Sequence, residues 1–180
     1  MRYGPGMKTL YLLRHGDAEP KPSGGNDYER SLAPAGLRAS ERVGAHLARN
    51  PFPPSLFLCS SARRAVETLE AVRCHLPGPA ELLCERGLYL AGSDQIFQRI
   101  CEVDGRHTAV LLVGHNPGIA SLAHDLVRPS AGGDYERLQR DFPAAALATL
   151  AFDVDRWCEI ALRSARLAEF TTPTRLASTR

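Results

Sequence analysis

Two histidines and a pair of adjacent arginines in this 180-residue chain stand where apolar runs give way to small or turn-forming residues. Leu10-Tyr11-Leu12-Leu13 leads into Arg14-His15-Gly16, and Leu56-Phe57-Leu58-Cys59 leads into Ser60-Ser61-Ala62-Arg63-Arg64. Residues 108–113 lead into Gly114-His115-Asn116-Pro117-Gly118. An imidazole acts as a nucleophile or proton carrier near neutral pH. A guanidinium offers a fixed fork of donors that suits phosphate oxygens, and its charge-assisted bonds are roughly twice as strong as neutral ones. Gathered in one place, these groups would form a site for a phosphoryl group.

The intervening sequence must bring them together. The three apolar runs are short and continuous, as in strands buried on both faces, and residues 81–85 read as a further strand. Helical periodicity follows from Leu37 to Asn50 and ends at Pro51, Pro53 and Pro54. It recurs from Arg63 to about Cys74, from Ser93 to Val103, and again after Gly118. Ser60 and Ser61 have the chemistry of helix caps. Strands alternating with helices predict an α/β fold, a three-layer αβα sandwich around a mostly parallel sheet. Right-handed crossovers then carry Arg14-His15, Arg63-Arg64 and His115-Asn116 to one carboxyl edge. Residues 146–152 and 157–162, separated by Asp153-Val154-Asp155-Arg156, read as an antiparallel hairpin at one edge. Residues 128–143 read as a polar, Gly-rich connection, and the tail from Leu167 to Leu176 has enough apolar residues to pack.

Composition narrows the class. With 44% hydrophobic and 23% charged residues, the chain suits a single domain over 1–180, and residues 1–6 read as a flexible extension ahead of a second possible start at Met7. The net charge of +2 is scattered, which gives no sign of nucleic-acid binding. No apolar run approaches the roughly 18 residues of a membrane span, and the first residues lack a signal-peptide core, so a cytoplasmic location is expected. Cys59, Cys74, Cys84, Cys101 and Cys158 are widely spaced with no C-x-x-C, a pattern read as small buried hydrophobes in a reduced compartment. His46, His75, His107 and His124 fall in helices or at strand approaches and read as structural or surface residues.

Leu-Arg-His-Gly at 13–16, Ser-x-x-x-Arg-Ala-x-x-Thr at 60–68 and Gly-His-Asn at 114–116 resemble, in the same order, the motifs of the histidine phosphatase superfamily, also called phosphoglycerate mutase-like. Residues 27–36 look like the family's segment before its first helix, and the compact length resembles the SixA-type phosphohistidine phosphatases. The resemblance implies that His15 is the nucleophile, forming a covalent phosphohistidine that water then hydrolyses. It implies that Arg14 and Arg64 clamp the phosphoryl oxygens, Arg64 rather than Arg63 because it directly precedes Ala65. His115 would complete the pocket and donate to a phosphoryl oxygen. Phosphoryl transfer of this kind rests on positioning and charge, so neither metal nor cofactor is expected.

Larger relatives supply a carboxylic acid for the leaving group, and here Asp17 and Glu85 are both candidates, each also readable as a solvated or capping carboxylate. Asn116 either orients a loop or touches substrate, while Asp27 and Arg30 read as a pair that ties down the loop before the first helix. Imidazole leaves more readily than an alkoxide once its other nitrogen is protonated, which predicts a preference for P–N over P–O substrates. The expected partner is a phosphorylated protein, such as a histidine phosphotransfer domain, or a small phosphorylated molecule. The alternatives are a general small-molecule phosphomonoesterase and a non-catalytic phosphate-binding module.

Overall fold

The apolar runs form adjoining strands of one six-stranded sheet in the computed structural model, which describes residues 6–21 and 23–178. The strands are β1 (Lys8–Arg14), β2 (Leu56–Ser60), β3 (Glu81–Glu85), β4 (Ala109–Gly114), β5 (Leu147–Phe152) and β6 (Arg166–Thr171), in spatial order β3-β2-β4-β1-β5-β6. The first four are parallel, and β5 runs antiparallel to both β1 and β6. The helices are α1 (Pro34–Leu47), α2 (Arg63–Arg73), α3 (Ser93–Cys101), α4 (Gly118–Leu126), α5 (Gly133–Arg140) and α6 (Pro173–Ser178).

Alternation along the central strands divides the core in two. Tyr11, Leu13, Phe57 and Val113 pack with Val43 and Leu47 of α1 and Leu69 and Val72 of α2. Leu10, Leu12, Leu58 and Leu112 pack on the opposite face with Ile96 and Ile100 of α3 and Leu122 and Leu126 of α4. The result is the expected three-layer αβα sandwich with an antiparallel edge.

The antiparallel edge differs from the expected hairpin. Residues 157–162 are not a strand: Trp157 opens a 3₁₀ turn, is fully buried, and donates its indole N–H to the His107 carbonyl at 2.7 Å. Leu162 is exposed and Arg163 takes a left-handed φ of 56°, a geometry that ends any extended run. The partner of β5 is β6, from the tail read only as able to pack. Residues 128–143 hold α5, whose Leu138 is buried beneath α4. Among the cysteines only Cys59 is fully buried; Cys74, Cys84 and Cys158 are exposed, which corrects the uniform reading as core residues. The proposed extension lies outside the described residues except for Gly6.

Candidate active site

Register places the chemistry. Arg14 pairs with Gly114 across β1 and β4, and Cys59 pairs with Val113 across β2 and β4. His15, Ser60 and His115 therefore leave three adjacent parallel strands at one level, at the carboxyl edge. They border a cavity of about 350 Å³ whose lining includes Arg14, His15, Asp17, Asp27, Arg30, Arg64, His115 and Asn116.

Two close backbone approaches build this edge. A Cβ on Gly36 would lie 2.1 Å from the Asp17 carbonyl, so the start of α1 can seat against the turn after His15 only without a side chain. A Cβ on Gly118 would lie 1.9 Å from the Ala91 carbonyl, which likewise draws α4 onto the loop after β3. Thr68 supplies a third tie. Its hydroxyl donates to the Arg64 carbonyl at 2.7 Å and accepts the Gly16 N–H at 3.0 Å, fixing α2 against the His15 turn.

Partners settle the tautomers of both histidines. The Gly16 carbonyl can only accept, so His15 Nδ1, 2.7 Å away, carries the proton. Nε2 then carries the unprotonated lone pair, which accepts from Arg64 Nε at 3.1 Å. Burial lowers the His15 pKa to about 4; the Gly16 hydrogen bond opposes this, and the charges of Arg64, Arg14 and Arg30 add to it. His115 Nδ1 lies 3.3 Å from an Arg64 Nη2 that can only donate, so its proton sits on Nε2 and is given to Ser60 Oγ at 2.8 Å. Burial, followed by the neighbouring His15 and Arg64, brings the His115 pKa down to about 3. Ser60 thus orients His115 instead of capping α2, which begins after Ala62 with no side-chain cap.

Arg64 is the hub, only 3% exposed. Besides both histidines it reaches the Asp27 carbonyl through Nη1 at 2.7 Å and the Asp27 carboxylate through Nη2 at 3.1 Å. Tyr89 donates its hydroxyl to the same carboxylate at 2.8 Å, and Arg30 donates to the other oxygen at 3.0 Å. The Arg30 and Tyr89 hydrogen bonds hold the Asp27 pKa near 2. The Asp27–Arg30 pair expected from sequence is present, but Asp27 also anchors Arg64, a role with no local sequence signal. Tyr89 carries no sequence signal of its own, and its hydroxyl becomes recognisable only once Asp27 is placed.

Arg14 and Asn116 share one acceptor. Arg14 Nη1 and Asn116 Nδ2 each donate to the Phe142 carbonyl at 2.9 Å, leaving Arg14 Nε and Asn116 Oδ1 buried without a partner among the described residues. Asn116 therefore helps to fix the 142–144 segment that borders the cavity. Of the two carboxylates offered as proton donors, Asp17 lines the cavity. Glu85 does not: Arg99 holds both of its oxygens at 2.8–2.9 Å. Arg63 lies outside the cavity, paired with Glu67. Among the described residues, no three His, Cys, Asp or Glu side chains are grouped to hold a metal ion.

Comparison with known proteins agrees with this geometry. Residues 10–88 match the model of the histidine phosphatase superfamily, branch 1. An uncharacterised protein of Mycobacterium leprae is 32% identical over 148 residues, covering 82% of this chain and 89% of that one. The SixA protein of Nakamurella multipartitia, assigned as a phosphohistidine phosphatase, superposes with a TM-score of 0.81 at 30% identity, over 93% of this chain and 97% of that one. Its counterpart from Agrobacterium tumefaciens gives 0.77 at 27% identity, over 92% and 98%. The chain belongs to the histidine phosphatase superfamily as a SixA-type member.

Proposed function

We propose that this protein is a phosphatase that works through a phosphohistidine on His15, with protein-borne phosphohistidine as its preferred substrate. The observation that carries the first part is the neutral His15 imidazole, with Nδ1–H on the Gly16 carbonyl and the Nε2 lone pair at the cavity beside Arg64. In the first half-reaction Nε2 attacks phosphorus, the bond to the substrate breaks, and the leaving group departs with its electron pair. Arg14 and Arg64 take the three phosphoryl oxygens as charge spreads over them. An entering dianion raises the pKa of the adjacent His115, which takes a second proton from solvent on Nδ1 and donates it as a hydrogen bond to a phosphoryl oxygen, while Nε2–H stays on Ser60. Water next attacks phosphorus, His15 leaves with its lone pair restored, and inorganic phosphate is released.

The substrate preference follows from the leaving group. An imidazole protonated on its distal nitrogen leaves without further help, whereas an alkoxide needs a proton in flight. Glu85 is committed to Arg99, and Asp17 is the carboxylate that lines the cavity without an ion-pair partner among the described residues. The same observation favours a second reading, a small-molecule phosphomonoesterase with Asp17 as the acid. Turnover of a phosphohistidine protein, a phosphoserine peptide, sugar phosphates and nucleotides, with wild type and His15→Ala side by side, decides between them. Faster cleavage of sugar phosphate would reject the P–N preference. Failure to trap labelled phosphate on His15 after an alkaline denaturing quench, which preserves the acid-labile P–N bond, would reject the covalent route and leave only phosphate binding. A cytoplasmic phosphotransfer domain is the partner this reading calls for.

A further inference from the structure

A second cavity, about 580 Å³, shares no lining residue with the phosphoryl pocket. It lies on the α1 side of the sheet, between the outer face of α1, the strand β6 and the short helix α6. Arg42 and His46 lie one turn apart on one face of α1, and Arg49, in the turn just past the end of the helix, also lines the cavity.

The charges in this cavity are unbalanced. Glu169 is the single carboxylate in its lining, and its Oε2 is engaged by His46 Nε2 at 2.9 Å. Arg175, on α6, is held by Asp134 and by the Phe170 carbonyl. The guanidiniums of Arg42 and Arg49 have no hydrogen-bond or ion-pair partner among the described residues. Asn50 spends its Oδ1 on the Phe52 N–H, which leaves its amide donors for a ligand. Thr171, 3% exposed, adds a hydroxyl at the cavity floor. The unsatisfied groups are thus mainly donors, two of them cationic forks.

We propose that this cavity binds a small organic polyphosphate, of the nucleoside di- or triphosphate class, at a site separate from the phosphoryl pocket. A cavity several times the size of one phosphate, with two cationic forks along one wall, suits a phosphate chain with its attached sugar. The volume falls within the roughly 300–1,000 Å³ of small-molecule sites, and Ala45, Pro51 and Leu176 give the organic portion apolar contact. Guanidinium forks match phosphate oxygens two at a time, which a single carboxylate does less fully at each end.

Calorimetric titration of the full chain with ATP, with tungstate present at saturation to fill the phosphoryl pocket, tests this. ATP binding is expected to persist under tungstate, and tripolyphosphate is expected to compete with it more strongly than AMP. Arg42→Gln/Arg49→Gln, at exposed positions, is expected to keep the thermal midpoint and the turnover of a test phosphoester measured without ATP. Its affinity for ATP should fall at least about tenfold, as expected for loss of two charge-assisted contacts. Abolition of ATP binding by tungstate would overturn the proposal, as would equal affinity in the double variant or no binding at millimolar ATP. So would binding of an acidic peptide in place of ATP, because the occupant would then be a protein segment.

Discussion

Arg64 Nε donates to His15 Nε2 at 3.1 Å, so the guanidinium that would grip the phosphoryl group also holds the nitrogen that would attack it. A lysine at this position keeps the charge but has no planar fork to span His15, His115 and Asp27 together. Arg64→Lys is expected to lower kcat by about 10² or more, the scale seen when one transition-state donor is removed. His15→Ala should abolish turnover with the fold retained. Steady-state kinetics with circular dichroism checks both, and a folded His15→Ala protein with undiminished turnover would refute the nucleophile assignment.

Asp27 positions Arg64 from the far side of the cavity, with Tyr89 bonded to the same carboxylate. Asp27→Asn should reduce kcat/KM by roughly 10- to 100-fold, as for loss of a charged hydrogen bond, and Tyr89→Phe by roughly 3- to 10-fold. Because both act through Arg64, the double variant should cost less than the product of the singles, which a double-mutant cycle on kcat/KM measures. Strict multiplicativity would show that the two residues do not share a function.

The proton-donor question separates by leaving group. Asp17→Asn should slow an alkyl phosphate by about 10² or more while changing phosphohistidine turnover little, since general acid catalysis contributes typically that much. Glu85→Gln should leave both activities within about twofold and cost under about 1 kcal/mol of stability, the scale of a partly exposed ion pair. Equal slowing of both substrates by Asp17→Asn would remove Asp17 from the acid role.

Both histidines are held neutral in the folded chain, His15 to about 4 and His115 to about 3 from an ordinary 6.5. The unfolded chain takes up these protons first as pH falls, so their contribution to stability is whole above about 6.5 and is lost progressively toward 4 and below. Asp27, held near 2 against an ordinary 3.8, extends the acid loss to lower pH. The thermal midpoint of His15→Ala should therefore fall less steeply between pH 6.5 and 4 than that of wild type. NMR titration of the His15 ring should give a midpoint near 4; a midpoint near 6.5 would contradict the buried, cation-flanked site.

Thr68 offers the clearest stability test outside the cavity. Thr68→Val keeps the shape but strands the buried Gly16 N–H, at a cost of about 1–3 kcal/mol in chemical denaturation.

The sequence is most legible where one pattern has one structural outcome. Continuous apolar runs ending in Arg14-His15, Ser60 and Gly114-His115 can scarcely be anything but buried parallel strands, and their register then assembles the site. Residues 157–162 are less legible because the apolar content of Trp157 and Ile160 suits a strand and a buried turn equally; the indole N–H bonded to His107 decides it. Helix α5 is masked by its polar composition, with Leu138 its one buried side chain. Asp27, Tyr89 and Ser60 matter through partners 37 to 62 residues away, and no local spacing encodes those distances.

Trp157 is the only tryptophan in the chain, and it is sealed beneath the sheet beside Lys8 and His107, at the end of β1 and β4 opposite His15 and His115. Its fluorescence is consequently a native reporter with a single origin. Emission should shift to longer wavelength when the layer holding α3 and α4 opens, yet stay constant when an oxyanion fills the phosphoryl pocket. Ligand binding and global unfolding can thus be followed in one cuvette without a label.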